Sequence, residues 1–220
     1  MMTNKRPLTG LYAITPDWND TRRLLSVTEA ILDAGCRILQ YRNKSTSPCH
    51  AQEQAVALRG LTRKYAAHLI INDDLELALF SEADGVHLGE DDGQLAAARA
   101  RLDASGCGKV LGASCYQSVP LALAAARAGA DMIAFGSFFA SPTKPNAARA
   151  DPSLIAAAKR ETGLPVCAIG GITPDNAGDL IAAGADLLAV ISALYDAPDP
   201  HLAALKFIQL FTESPDKEPA

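Results

Sequence analysis

Residues 118–138 read SVPLALAAARAGADMIAFGSF and hold one complete unit of the fold. Ser118 is placed to cap a helix, and Pro120 falls in its first turn, where a missing N–H costs little. The Ala- and Leu-rich run to Ala128 has helical composition, and Gly129 can end the helix at positive φ. Residues 132–138, MIAFGSF, then read as a strand, apolar and short. The same exit recurs as Ala34-Gly35-Cys36, Glu82-Ala83-Asp84-Gly85 and Ala183-Gly184-Ala185-Asp186, before the second, fourth and eighth strands.

Eight strand candidates follow: residues 11–15, 38–42, 69–73, 85–89, 109–114, 132–138, 165–170 and 187–193. Each precedes a stretch long enough for a helix, and Thr173-Pro174-Asp175 opens the seventh as Ser118 opens the fifth. A unit of about 25 residues repeated through the chain predicts an α/β protein, a (β/α)8 TIM barrel in a single domain over residues 1–212. The polar tail 213–220, ESPDKEPA, is expected to fray. A doubly wound open sheet fits less well, because no G-x-G-x-x-G follows a strand.

With 220 residues and 49% hydrophobic content the chain can fill one core. Twenty Lys and Arg against 25 Asp and Glu leave a net charge of −5, so no whole-chain field favours nucleic acid or an anionic membrane. The default partner is a small soluble molecule. The start carries no apolar signal-peptide core and no run of about 18 apolar residues occurs, which predicts a cytoplasmic location. The five cysteines, 36, 49, 107, 115 and 167, are odd in number and lack a C-x-x-C, so they read as reduced packing residues.

In such a barrel the site lies at the carboxyl ends of the strands. Gln40-Tyr41-Arg42-Asn43-Lys44 closes the second strand, and alternation puts Gln40, Arg42 and Lys44 on one face. Two cations and an amide facing the barrel mouth suit an anion, the alternative being a charged tip in solvent. Asn72-Asp73-Asp74 and Glu90-Asp91-Asp92 follow the third and fourth strands. Acids from these neighbouring strands can share a hard divalent ion such as Mg²⁺. Helix capping explains one Asp at each place, and the pattern alone does not say which.

After the sixth strand comes the longest loop, in which Ser141, Thr143 and Lys144 can hold phosphate oxygens, unless the loop is merely solvated. Gly170-Gly171 and Ile191-Ser192 follow the seventh and eighth strands, where barrels often bind phosphate through backbone N–H groups. Close packing is the other use of such a glycine pair. Ser114 can donate to the same substrate or cap a turn, and His87 reads as a hydrogen-bonded structural residue rather than a base. Spacing supports no Ser-His-Asp, catalytic Cys or Lys Schiff-base arrangement. The residues describe anion positioning and leaving-group stabilisation.

The segments LYAIT, QYRNK, LIINDDLELAL, DGVHLGEDD, LGASC, GADMIAFGSFFASPTK, PVCAIGGI and GADLLAVISAL, in this order over residues 11–210, resemble the thiamine-phosphate synthase family, also called thiamine-phosphate pyrophosphorylase. The resemblance implies a transferase that joins 4-amino-5-hydroxymethyl-2-methylpyrimidine diphosphate to 4-methyl-5-(2-phosphoethyl)thiazole, or its carboxylated form, with release of diphosphate. It implies that Gln40, Tyr41, Arg42, Asn43, Lys44, Asn72, Ser114 and Lys144 hold the pyrimidine diphosphate. Ser141, Pro142, Thr143, Gly171, Ile191 and Ser192 would hold the thiazole phosphate. Asp73 and Asp92 would ligate one Mg²⁺ per subunit, leaving Asp74 and Asp91 as caps.

The implied chemistry is loss of diphosphate to a pyrimidine methyl cation and attack by the thiazole nitrogen, with Arg42, Lys44 and Lys144 as the catalytic cations. Ser141 stands where the family usually has Thr, and Glu90 where it has Gln. A thiazole tautomerase of the same fold would be expected to lack the Gln-Arg-Lys cluster and the metal acids, and a non-catalytic phosphate-ligand sensor would not keep them intact. The implied partners are the two small molecules, without nucleic acid or membrane, and a homo-oligomer is left open.

Overall fold

Eight short parallel strands alternate with helices and close on themselves in the order of the sequence. The structure, a computed structural model, describes residues 8–91, 93–106, 108–140 and 149–212. The strands are β1 (Gly10–Ile14), β2 (Ile38–Tyr41), β3 (His68–Asn72), β4 (Gly85–Leu88), β5 (Val110–Tyr116), β6 (Met132–Phe135), β7 (Val166–Ile169) and β8 (Leu187–Val190). Between them run α1 (Thr21–Asp33), α2 (Pro48–Lys64), α3 (Leu75–Phe80), α4 (Leu95–Ala104), α5 (Val119–Arg127), α6 (Ser153–Thr162) and α7 (Ala177–Ala182). A short α8 (Ser192–Tyr195) and α9 (Pro200–Thr212) end the described chain, and α9 packs on α1 and on β1. The ring closes where Tyr12 pairs with Ile38 on one side and Ala189 on the other.

Alternation along each strand sorts the core into two. Tyr12, Ile14, Ile38, Ile70, Met132 and Leu187 belong to a cluster inside the barrel. Their chain neighbours Leu11, Ala13, Leu39, Leu69, Ile71 and Leu188 belong to the larger cluster under the helices. The same two-residue step that buries Ile38 and Ile70 brings Gln40 and Asn72 to the barrel mouth.

Local signals were met unevenly. Ser118 caps α5, accepting from the Leu121 N–H, and Asp74 caps α3 through the Leu77 N–H. The α4 cap is Gln94, which makes no side-chain capping bond, so Asp91 does not cap it. The α7 helix starts later than Thr173: Asn176 is its cap and accepts from the Thr173 N–H, a turn that delays the helix. Cys36, Cys115 and Cys167 are buried, whereas Cys49 is exposed on α2, and Cys107 lies outside the described residues. The expected frayed tail, 213–220, lies outside them too. Among the described residues no helix is long and apolar enough to cross a membrane.

The repeated helix exits share a device. Asp84, Asp131 and Asp186 stand just before β4, β6 and β8, and each carboxylate accepts the backbone N–H of Leu69, Leu111 or Val166 on the preceding strand. Each also receives a cation: Arg59 in a two-pronged bond to Asp84 at 2.6 and 3.0 Å, Arg99 at 3.0 Å and Lys159 at 2.7 Å. Before β2 the position is Arg37, whose guanidinium instead donates to the carbonyls of Leu32 and Cys36.

Replacing Asp84 by Ala strands the Leu69 N–H and a mostly buried guanidinium together. The variant is expected to lose about 2–4 kcal/mol in urea unfolding while each folded molecule keeps its activity, since the rim lies at the end opposite the cavity. A loss under half a kcal/mol would overturn this account of the rim.

Candidate active site

At the carboxyl ends of the strands a cavity of about 380 Å³ opens between the loops. Its floor is apolar, with Tyr12, Ile14, Cys167 and Ala189. One wall comes from β2 to β5 and carries Gln40, Arg42, Lys44, Asn72, Asp73 and Ser114; the facing wall comes from β7 and β8 and carries Gly171, Ile191 and Ser192.

The cations are held from behind. Thr15, fully buried at the end of β1, clamps the Arg42 backbone, its hydroxyl accepting from the Arg42 N–H and donating to the Arg42 carbonyl, both at 2.8 Å. Lys44 Nζ lies 3.0 Å from Asp73 Oδ2. Asp73 sits at φ 62°, an uncommon conformation for a residue with a side chain, and its N–H is bonded to the His87 carbonyl. The turn ends β3 and sends Asp73 into the cavity while Asp74 turns to cap α3.

Deeper in, polar groups pair with one another. Gln40 Nε2 donates to the Tyr12 phenol at 2.8 Å; burial holds that phenol well above its usual range, with the Gln40 bond opposing in part. His87 Nε2 is 3.0 Å from Ser114 Oγ. Burial pushes the imidazole down to about 4 against a smaller opposing pull from the Asp73 charge, so it is neutral at pH 7. Gly112, beside His87 in the ladder, makes room for the ring: a Cβ there would lie 2.4 Å from Nδ1.

The glycine pair after β7 has a packing role. A Cβ on Gly171, which has φ 62°, would stand 2.2 Å from the Ala140 carbonyl oxygen, and one on Gly170 would stand 2.0 Å from Ser137 Oγ. The stem of the loop after β6 lies there, with the N–H groups of Phe138 and Phe139 on the carbonyls of Ile169 and Gly170. Across the stem, the Ala150 N–H bonds the Ser137 carbonyl.

Of the residues read from the sequence, Gln40, Arg42, Lys44, Asn72, Asp73, Ser114, Gly171, Ile191 and Ser192 meet in this one cavity. Tyr41 and Asn43 do not reach it. They occupy the other face of the same segment, where the Tyr41 phenol donates to Gln54 and the Asn43 amide donates to the Trp18 carbonyl and to Gln54. Asp92, Ser141, Pro142, Thr143 and Lys144 lie outside the described residues. Sequence reasoning missed Tyr12 and Tyr116: the first reads as core, and the second stands two residues beyond Ser114 on the same face, past the strand end expected at residue 114.

Among the described residues no group of three or more His, Cys, Asp and Glu side chains gathers. Mg²⁺ does not need one, because it is content with one or two carboxylates plus water and phosphate oxygens. The Asp73 carboxylate, a hard oxygen donor in the cavity beside a displaceable ammonium, fits that demand.

The depressed His87 pKa has a stability consequence. Between about pH 6.5 and 4 the unfolded chain binds a proton there that the folded chain does not, so folding stability falls as pH falls through that window. From pH 7 to 5 this group alone is expected to remove about 2 kcal/mol. His87→Gln should flatten the urea-unfolding free energy over that interval by about as much, and an unchanged slope would contradict the assignment.

A family model described as thiamine monophosphate synthase matches residues 11–194. A thiamine-phosphate synthase of Methylobacillus flagellatus is 56% identical over 205 residues, 93% of this chain and 96% of the relative. One of Thiobacillus denitrificans is 53% identical over 208 residues, 94% and 97% of the two chains. The solved structure of a thiamine phosphate pyrophosphorylase from Pyrococcus furiosus superposes with a TM-score of 0.81 at 32% identity, covering 94% of this chain and 96% of the other. A match of this extent at such identity, over nearly the whole of both chains, means that the chain belongs to the thiamine-phosphate synthase family.

Proposed function

We propose that the cavity joins 4-amino-5-hydroxymethyl-2-methylpyrimidine diphosphate to a thiazole phosphate, acting on soluble substrates in the cytoplasm and releasing thiamine phosphate and diphosphate. The observation that carries this reading is the division of one cavity into a wall with the cations Arg42 and Lys44 beside the Asp73 carboxylate, and a facing wall with Gly171, Ile191 and Ser192. Two anionic ends can then be held apart over an apolar floor that suits two flat rings.

In this reading the bond from the pyrimidine methylene to the diphosphate oxygen breaks first, and its electron pair leaves with the diphosphate. Arg42 and Lys44, joined by Lys144, take up the growing negative charge through charge-assisted bonds. Asp73 and Asp92 would hold Mg²⁺, which supplies further neutralisation of the diphosphate when bound. Gln40 and Ser114, held by Tyr12 and His87, orient the pyrimidine ring. The thiazole nitrogen then forms the new C–N bond with its own lone pair, so the attack requires no base. That suits a cavity in which the buried imidazole is neutral and bonded to a serine. Ser141, Thr143, Gly171 and Ser192 hold the thiazole phosphate.

The test is an assay for thiamine phosphate and diphosphate with both substrates, with Mg²⁺ present or removed by EDTA. Product formed only with metal supports the proposal; product unaffected by EDTA overturns the metal assignment, and no product overturns the reaction. Asp92→Ala should abolish metal-dependent turnover, and Lys144→Ala should lower kcat about 10²-fold to 10³-fold. Neither should move the melting temperature by more than a few degrees.

A further inference from the structure

Arg42 is gripped at two points by the segment that follows β1. Thr15 fixes its backbone, and Asp17 fixes its head: Asp17 Oδ1 accepts from Arg42 Nη1 at 2.8 Å and from the Lys44 backbone N–H at 2.9 Å. Asp17 is 38% exposed and does not line the cavity, while the Arg42 side chain is 17% exposed and does. One carboxylate oxygen therefore sets both the plane of the guanidinium and the path of the chain entering Lys44.

The support under Asp17 is itself tied down. The next carbonyl, that of Trp18, accepts from Asn43 Nδ2 at 3.1 Å and from Gln54 Nε2 at 2.9 Å. The Trp18 ring meets Tyr195 edge-on with centroids 5.7 Å apart, and the Arg23 guanidinium lies 3.8 Å from the centroid of its face. Among the described residues Asp17 alone accepts from the Arg42 guanidinium, and a planar fork binds phosphate well only when it is aimed.

We propose that Asp17 is a positioning residue of the diphosphate subsite, aiming Arg42 and Lys44 before substrate arrives. The inference rests on the reading of Arg42 as a diphosphate ligand. In it, Asn43 serves the site from the opposite face of its segment, by holding the loop that carries Asp17.

The experiment is a double-mutant cycle of Asp17→Ala and Arg42→Ala, with Asp17→Asn as the conservative variant. Asp17→Ala is expected to raise KM for the pyrimidine diphosphate about tenfold and to leave KM for the thiazole phosphate within about twofold. The melting temperature should hardly move, because the Asp17 carboxylate is exposed and its ion pair adds little stability. Asp17→Asn keeps an oxygen for the Lys44 N–H and should recover part of the loss. Once Arg42 is Ala, removing Asp17 should have most of its effect abolished. Where turnover of the Arg42 variants is too slow, calorimetry with inorganic diphosphate and Mg²⁺ completes the same cycle.

An unchanged KM in Asp17→Ala, beside a raised one in Arg42→Ala, overturns the proposal. So does a lowered KM, which would make Asp17 a competitor of the substrate, and so do fully additive effects or a large fall in melting temperature with both KM values raised. An Arg42→Ala variant with unaltered KM and diphosphate affinity would instead remove the underlying reading of Arg42.

Discussion

A barrel of strands only four to seven residues long has few ladder bonds per strand, so register must be enforced from outside the ladder. At the amino-terminal rim three carboxylates do this, each joining a strand to the one before it and drawing in a cation from a helix. Asp84, Asp131 and Asp186 link β3 to β4, β5 to β6 and β7 to β8. The carbonyls of Asp84 and Asp186 reach onward to Val110 and to Gly10, the second of these closing the ring. Because side chains alternate strictly, a slip of one residue in any strand would turn its cavity-facing groups into the helix layer. The register that shapes the mouth is thus braced, though not set alone, by carboxylates at the far end of the strands.

The same alternation is why one segment can serve two purposes. From Gln40 to Lys44 the chain shows Gln40, Arg42 and Lys44 to the cavity and Tyr41 and Asn43 to α2 and the loop after β1. The outward residues are structural where they stand, and they make the inward ones rigid. A similar economy holds inside the mouth, where the polar groups come as pairs, Tyr12 with Gln40 and His87 with Ser114. Each pair fixes the orientation of the group it presents to a ligand, although the buried Nδ1 of His87 finds no partner among the described residues.

Much of this was legible in the chain, for reasons that differ from place to place. The barrel was readable because Gly-Ala-Asp exits and apolar runs repeat, and the cation-bearing face because alternation has a period of two. The later start of α7 was not, since it depends on the Asn176 side chain turning back to the Thr173 N–H, a choice that composition does not reveal. Gly170 and Gly171 carried two readings, phosphate contact and close packing. The approach of the loop after β6 accounts for the second without removing the first. Tyr116 was hidden because β5 runs two residues past its expected end, and Asp17 by its distance in sequence from Arg42. A contact between residues 25 positions apart is a property of the closed barrel and not of either segment.

Trp18 is the chain's only tryptophan, and it sits where the first and last units of the ring meet. Its ring touches Tyr195, which is in turn bonded to Thr28 of α1. Bringing β1 against β8 gathers residues from the two ends of the sequence, the kind of long-range closure whose entropic cost must be met before its contacts reward it. An indole placed at the seam is therefore positioned to act as an optical gauge of whether the beginning and the end of the chain have met.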